Sequence, residues 1–132
     1  MEPVLLEMEE ILEIHRDQIE RYGGSLGVRD QGLLESALGA PQASYGGEYL
    51  HIDLHEMAAA YLCSIVNNHP FIDGNKRTGA AATVVFLLMN GFDLEAGEDE
   101  FESLVLSVAC GEIDKASAAD FIRARTRQRP AR

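Results

Sequence analysis

The chain has 132 residues, 46% hydrophobic and 25% charged, a composition typical of one globular domain that excludes a disordered or collagen-like protein. The net charge is −11, although residues 115–132 hold six basic residues and one acid. Because an acidic body repels phosphate backbones, we expect no direct nucleic-acid binding. The longest apolar stretch, residues 79–89, is too short to cross a membrane.

Two further features suggest where the protein resides. Cys63 and Cys110 both lie in apolar contexts, and we expect them to be buried and reduced. The first residues lack the basic segment and apolar run of a signal peptide. Together they predict a cytoplasmic protein.

The first quarter of the chain predicts two helices. Apolar residues spaced by three and four indicate a helix over residues 4–22, which Gly23 and Gly24 end. Asp30 is a favourable N-cap for a second, short helix, which must end before Pro41.

Residues 42–52 carry aromatic residues on both sides of a glycine pair, which indicates a loop or a small β-hairpin. Asp53 is expected to cap a third helix, with Glu56 as its capping-box partner. That helix must end near His69, because Pro70 cannot continue it.

The remaining pattern is helical. A fourth helix is predicted over residues 75–89, and it is apolar on every side from residue 80 onward, so we place it in the middle of the bundle. A fifth helix follows over residues 101–108 and a sixth over residues 118–122, and the basic tail at residues 126–132 should fray. The predicted fold is all-α: one domain over residues 1–132, a compact bundle of about six helices around a central buried helix, with a possible small β-hairpin.

The segment from His69 to Thr78 carries the chemistry, because it leads from the end of one helix into the start of the buried one. The first backbone N–H groups of a helix lack intrahelical partners, and the helix dipole adds positive potential there, which suits a phosphate. Lys76 and Arg77 add two charges, and the amide of Asn75 adds a donor.

Asp73 and His69 extend this hypothesis from binding to catalysis. A carboxylate is out of place beside a phosphate unless a divalent ion lies between them, and Mg²⁺ binds in this way. His69 can accept a proton from an attacking hydroxyl at neutral pH. Each residue also has a structural interpretation: Asp73 or Asn75 as a helix cap, His69 as a partner of a carbonyl, and the two cations as solvated surface.

Other motifs do not fit. A P-loop requires glycine directly before the lysine, where this chain has Asn75, and an EF-hand does not tolerate Arg77 at its fifth position. His51, Asp53 and His55 suggest a metal site, but Asp53 already has a capping role.

The segment resembles the signature of the Fic/Doc superfamily, and the lysine before the arginine matches its Doc (death-on-curing) toxin branch. The resemblance extends over most of residues 5–125 and includes Ile14–His15, the Tyr22–Ser25 segment, the Arg29–Leu38 segment and Asn90–Phe92. It implies a small helical fold, ATP with Mg²⁺ as cofactors, and group transfer to a hydroxyl of a target protein.

The resemblance also implies residue roles. His69 would be the catalytic base and Asp73 the Mg²⁺ ligand, while the phosphates would be bound by Gly74, Asn75, Lys76 and Arg77. A flap that positions the target would correspond to Tyr45, Gly46, Gly47, Glu48 and Tyr49; an ordinary surface loop is the alternative for that segment.

Two positions bear on which group is transferred. Family members that transfer AMP have glycine at the position of Lys76 and a second arginine at the position of Ala80. The differences here imply a kinase that moves the γ-phosphoryl group of ATP to a Ser or Thr hydroxyl, with elongation factor Tu as target and arrested translation as outcome. The resemblance further implies a type II toxin–antitoxin system, with an antitoxin whose disordered segment folds onto the toxin. An AMP transferase and a non-catalytic co-repressor that binds the antitoxin are the alternatives.

Overall fold

The computed structural model describes residues 2–130. The helices, numbered along the chain, are α1 (Met8–Tyr22), α2 (Gln31–Gly39), α3 (Leu54–Asn68), α4 (Asn75–Met89), α5 (Glu98–Ala109) and α6 (Lys115–Arg125), with one 3-10 turn at Ala40–Gln42. The strands are β1 (Ser44–Tyr45), β2 (Glu48–Tyr49), β3 (Phe92–Leu94) and β4 (Thr126–Gln128). The all-α prediction is confirmed.

The central helix is α3, so the prediction that α4 occupies the middle of the bundle is wrong. Helix α3 packs against α2, α4, α5 and α6, and its residues 57–62 are all buried. Helix α4 is buried on one side only; Ala80, Ala81 and Val84 are partly exposed on the other. That apolar side lines a surface groove, which is why the sequence pattern alone suggested full burial.

Helices α3 and α4 approach each other closely at Gly79. A Cβ atom built on Gly79 would lie 2.8 Å from Cγ2 of Val66 and 3.5 Å from the carbonyl oxygen of Leu62. Any larger residue would therefore push the two helices apart. This contact fixes how α3 and α4 diverge from the loop that joins them.

Three helices begin at an aspartate N-cap whose side chain accepts a backbone hydrogen bond; Asp30 and Asp53 were predicted, and Asp114 was not. The Asp30 side chain accepts a hydrogen bond from the N–H of Leu33, and that of Asp53 from the N–H of Glu56. Asp114 does the same at the start of α6. The Glu56 carboxylate accepts from the backbone of Ile52 rather than from Asp53, so the predicted capping box is displaced by one residue.

Helix α1 begins at Met8 rather than at residue 4. The segment before it is extended because its backbone has partners elsewhere: the amide of Asn90 binds both the N–H and the carbonyl of Val4, and the Tyr61 hydroxyl accepts from the N–H of Leu6. Tertiary hydrogen bonds thus override the helical sequence pattern of residues 4–7.

The predicted hairpin is present as the antiparallel pair β1–β2. A second antiparallel pair joins β3 to β4, in which Asp93 is opposite Arg127, and it was not predicted. The expectation of a frayed tail is wrong for Thr126–Gln128, because this pairing and the bond from Arg129 N–H to the Gly91 carbonyl hold the tail in place. Three-residue strands give no readable periodicity. The last two residues of the predicted tail lie outside the described residues.

The two cysteines differ from each other. Cys63 is half-buried on α3, where burial raises the pKa of its thiol, whereas Cys110 is exposed at the end of α5. The prediction that both are buried is wrong for Cys110, because α5 ends there. Among residues 2–130, no helix is long and apolar enough to cross a membrane.

Candidate functional site

The site is built on the junction loop, residues 69–74, between the end of α3 and the start of α4. His69 has φ 50° and ψ 53°, and it is the one non-glycine residue with positive φ among residues 2–130. Phe71 turns inward and is buried, with its ring stacked on that of His15 at 3.9 Å between centroids. The loop therefore has a fixed, buried anchor between the exposed residues His69 and Asp73.

A second segment lies along the junction loop and binds its backbone. This connector, residues 23–30, joins α1 to α2. The N–H of Ile72 donates to the carbonyl of Gly27, and the N–H groups of Arg29 and Asp30 both donate to the carbonyl of Pro70. The Arg29 side chain also donates to the carbonyl oxygens of His69 (2.7 Å) and Asn68 (3.0 Å).

Asn75 is engaged within the loop. Its side-chain oxygen accepts from the N–H of Phe71 at 2.9 Å, and its side-chain nitrogen donates to the carbonyl of Phe71 at 3.0 Å. With both ends of the amide in use, the side chain braces the loop. What Asn75 offers a ligand is its backbone N–H at the first position of α4.

Asp73 lies at the mouth of the site, with its carboxylate held by backbone groups. One oxygen accepts from the N–H of Gly74 at 2.8 Å and the other from the N–H of Ser25 at 3.2 Å. The Nε2 atom of His15 lies 2.8 Å from the Asp73 carbonyl oxygen. Gly24 must lack a side chain here, because a Cβ atom would lie 2.6 Å from the carboxylate.

The start of α4 carries positive charge that no carboxylate among residues 2–130 neutralises. Arg77 donates to the carbonyl oxygens of Gly23 (2.9 Å) and Gln18 (3.4 Å), and its guanidinium lies 5.9 Å from the centre of the Tyr22 ring. Lys76 is exposed. The N-cap is Gly74, so no side chain accepts from the first N–H groups of the helix, and its first turn has no acid.

An apolar groove of about 580 Å³ leads away from these two cations. It runs between α1, α4 and α5, with two acids at its far side, and its principal lining residues are Ala80, Ala81, Val84, Phe101, Val105, Leu106, Glu98 and Glu102. The groove explains why the outer side of α4 is apolar without being buried.

Two other predicted features lie apart from the junction. The flap, residues 45–49, is the exposed β1–β2 turn, and none of the hydrogen bonds found in residues 2–130 joins it to the junction loop. His51 is buried, while Nδ1 of His55 lies 3.8 Å from an Asp53 oxygen. Within the described part of the chain, no cluster of three or more His, Cys, Asp or Glu residues could hold a metal ion by itself.

Residue-by-residue reasoning missed the supporting side chains. His15 fitted the apolar face of α1 and Arg29 preceded a helix cap, so neither carried a signal of its own. Both belong to segments on which the family resemblance rested, and that was the available indication that they serve the site.

Comparison with known proteins agrees with this geometry. The Fic/DOC family model matches residues 5–87, which include the connector and the junction loop. The chain is 37% identical over 115 residues to the protein kinase doc of Escherichia phage P1, covering 87% of this chain and 90% of that protein. It is 44% identical over 100 residues to the toxin Doc of Mycolicibacterium smegmatis, covering 74% and 77%. The chain thus belongs to the Fic/DOC family, and its relatives include Doc toxins.

Proposed function

We propose that this protein is a Doc-type toxin with protein kinase activity, transferring the γ-phosphoryl group of ATP to a Ser or Thr hydroxyl of a translation factor. Elongation factor Tu is the target that the family implies. Similarity to a Doc toxin and to a Doc protein kinase supports the toxin and kinase parts of this proposal.

One observation carries the proposal: the start of α4 is open and positively charged. Gly74 leaves the first N–H groups without a capping side chain, and Lys76 and Arg77 flank them. Two cations at a helix N-terminus oppose the dipole and are unfavourable without an anion. A triphosphate would supply that anion and bind the backbone N–H groups of Asn75, Lys76 and Arg77 together with both side chains.

His69 is suited to be the base. The target hydroxyl would lose its proton to the imidazole of His69 while its oxygen attacks the γ-phosphorus, and ADP would leave as the P–O bond to the β-phosphate breaks. Phosphoryl transfer asks a protein mainly for positioning and charge neutralisation. The junction loop offers both, because His69 and the α4 start are separated by only five residues.

Asp73 is the residue that would hold Mg²⁺. Each carboxylate oxygen accepts a single N–H, so lone pairs remain for a metal. One carboxylate with phosphate oxygens and water is a usual Mg²⁺ environment. Bound there, the ion would neutralise phosphate charge.

The choice between phosphoryl and AMP transfer rests on Lys76 and Ala80. A lysine side chain fills the space that glycine would leave for close approach of the nucleotide. Ala80 lines the groove and offers no charge, so no second arginine is present there to hold a triphosphate.

Labelled ATP tests this choice. The purified protein is incubated with bacterial lysate and ATP carrying label at either the α- or the γ-phosphate, and separately with purified elongation factor Tu. We expect label in protein only from the γ-position. Label only from the α-position would identify an AMP transferase, and unlabelled elongation factor Tu in a labelled lysate would reject that target.

The flap is proposed to position the target by strand addition. Strands β1 and β2 are two residues long and exposed, so backbone groups remain for pairing with an added strand. Gly47→Pro would test this role, because proline cannot adopt the positive φ of 84° found at Gly47 and would therefore disrupt the turn between β1 and β2 without touching the junction. We expect slower transfer to protein with unchanged ATP affinity.

The apolar groove is proposed as the binding site for the folding segment of an antitoxin. Apolar residues of such a helix would cover α4 and α5, while its basic residues would meet Glu98 and Glu102 and its acids would meet Lys76 and Arg77. Val84→Glu should weaken the complex with a co-expressed antitoxin, as measured by co-purification. Wild-type complex formation by this variant would reject the placement.

A further inference from the structure

Arg29 makes a set of contacts that the proposed reaction does not itself require. Its Nε donates to the carbonyl of His69 at 2.7 Å and its Nη2 to the carbonyl of Asn68 at 3.0 Å. The same guanidinium makes no ion pair with a carboxylate among residues 2–130. Its charge is therefore directed at the end of α3 and at the backbone of His69, the proposed base.

His69 needs such support because of its backbone conformation. Its φ of 50° places it in the left-handed region, which is unfavourable for a residue other than glycine. The last carbonyl groups of a helix also lack intrahelical partners and carry partial negative charge, which a cation stabilises. A planar guanidinium that binds two successive carbonyls holds the peptide planes on both sides of the His69 Cα, and so sets where the imidazole leaves the backbone.

The side chain of Arg29 is separable from the connector that carries it. The backbone N–H groups of Arg29 and Asp30 bind the Pro70 carbonyl, and the N–H of Ile72 binds Gly27. These bonds do not involve the guanidinium. Shortening the Arg29 side chain should therefore leave the connector in place and free only the peptide groups of Asn68 and His69.

We propose that Arg29 is a positioning residue for the transfer reaction, whose guanidinium fixes the left-handed conformation of His69 and thereby aims its imidazole at the acceptor hydroxyl. The inference rests on the proposed function, because it takes His69 as the base. It assigns Arg29 no contact with nucleotide, since the phosphate-binding residues lie at the other end of the junction loop.

The experiment compares Arg29→Ala and Arg29→Lys with a matched control. Arg16→Ala removes the same charge from an exposed position on α1. Three quantities are measured for each variant: the melting temperature, the affinity for ATP with Mg²⁺ by calorimetry, and the rate of label transfer from saturating ATP into lysate protein. The transfer assay uses whichever phosphate the unaltered protein transfers, so failure of the kinase assignment does not count for or against Arg29.

We expect Arg29→Ala to slow transfer by about 10- to 100-fold, as displacement of a catalytic group by an ångström can do, with ATP affinity changed less than about twofold. Millimolar guanidinium should restore part of the rate to Arg29→Ala, and Arg29→Lys should fall between it and the unaltered protein. Arg16→Ala should behave as the unaltered protein.

The proposal is overturned if Arg29→Ala transfers label at the unaltered rate. It is also overturned if ATP affinity and transfer fall together without rescue by guanidinium, since that pattern means collapse of the whole loop. If Arg29→Ala does not fold, Arg29→Lys decides: an unaltered rate in a folded protein rejects the positioning role. A parent protein that transfers neither phosphate removes the proposed function and this inference together.

Discussion

Helices α3 and α4 begin with similar residues and yet differ in what their first turns can bind. A histidine and an aspartate precede each start: His51 and Asp53 before α3, His69 and Asp73 before α4. At α3 the aspartate is the N-cap itself, and its carboxylate accepts from the helix N–H of Glu56. At α4 the aspartate lies one residue earlier, the N-cap is Gly74, and the helix start is open.

The arginines near the two starts differ in the same way. Arg123 binds Asp53 at 2.9 Å and Asp120 at 2.8 Å, so the charges at the start of α3 are neutralised. Arg77 donates hydrogen bonds only to backbone carbonyls among residues 2–130, so no carboxylate there neutralises its charge. A shift of one residue relative to the helix start therefore separates a stabilising cap from the proposed anion site.

Replacing the histidines should give the largest difference between the two starts. His69→Asn keeps a side chain that tolerates positive φ and should slow transfer by about 10²- to 10⁴-fold, the usual contribution of a general base. His55→Asn, in the first turn of α3, is the control at the other helix start and should leave the rate unchanged. Both rates come from the labelled-ATP assay, and equal activity of His69→Asn and the parent protein would remove His69 from the mechanism.

Replacing the arginines should have the next largest effect. Arg77→Met removes a charged group that can bind phosphate oxygens bidentately, so ATP should bind about 10- to 100-fold more weakly. Arg123→Met should change ATP binding less than about twofold, because its charge is used by Asp53. Calorimetry with ATP and Mg²⁺ measures both affinities. Equal weakening by the two variants would mean that net charge, and not the open start of α4, governs binding.

The N-cap of α3 should affect the stability of the protein rather than its affinity for ATP. Asp53→Ala should lower the free energy of unfolding by about 1 kcal/mol, the usual value of an N-cap, while ATP affinity is unchanged. Burial opposes ionisation of Asp53, but hydrogen bonds from the Glu56 N–H and from Arg123 outweigh it and hold its pKa below the ordinary value. The stabilisation is thus present above the unfolded-state pKa and is lost as pH falls through the lower folded-state pKa. Denaturant titrations from pH 7 to pH 3 should show the two proteins converging.

The smallest expected effect concerns His51. Burial, aided by the positive charge of Lys115, lowers the pKa of this imidazole, so the folded protein favours the neutral form. The unfolded chain then takes up a proton first as pH falls, and stability should decline below about pH 6.5, the ordinary histidine value. His51→Gln should show a weaker decline between pH 7 and pH 5 in thermal melts. An identical slope in both proteins would show that other groups cause the decline.

The sequence predicts where helices begin better than it predicts how the side chains of the site are arranged. The bounds of α4 and the caps Asp30 and Asp53 followed from local signals, because a cap and its helix lie within four residues of each other. The side-chain arrangement of the site did not follow from such local signals. Arg29 reaches a carbonyl 40 residues away and Arg77 one 54 residues away, and no local pattern encodes such contacts.

The same limit explains the errors. The apolar outer side of α4 looked like a core surface, because sequence does not distinguish an apolar side that lines a groove from one that is buried. Strands β3 and β4 are three residues long, and the residues that pair are more than 30 positions apart in the sequence. Neither an alternating pattern nor a turn motif could therefore predict them. The side-chain amide of Asn75 also closes the loop, a role that the sequence pattern did not indicate, while the expected contact of Asn75 with a nucleotide stays a prediction.

The missing side chain at Gly79 has a consequence for how this activity could be moderated. It lies two residues beyond Arg77, where α3 and α4 approach each other closely. A methyl group there would push apart the two helices that carry His69 and the proposed phosphate-binding residues. The distance between His69 and the start of α4 would increase, while every side chain that the proposed reaction uses would remain. A substitution at this position is therefore a way to attenuate the toxin without removing a reacting group.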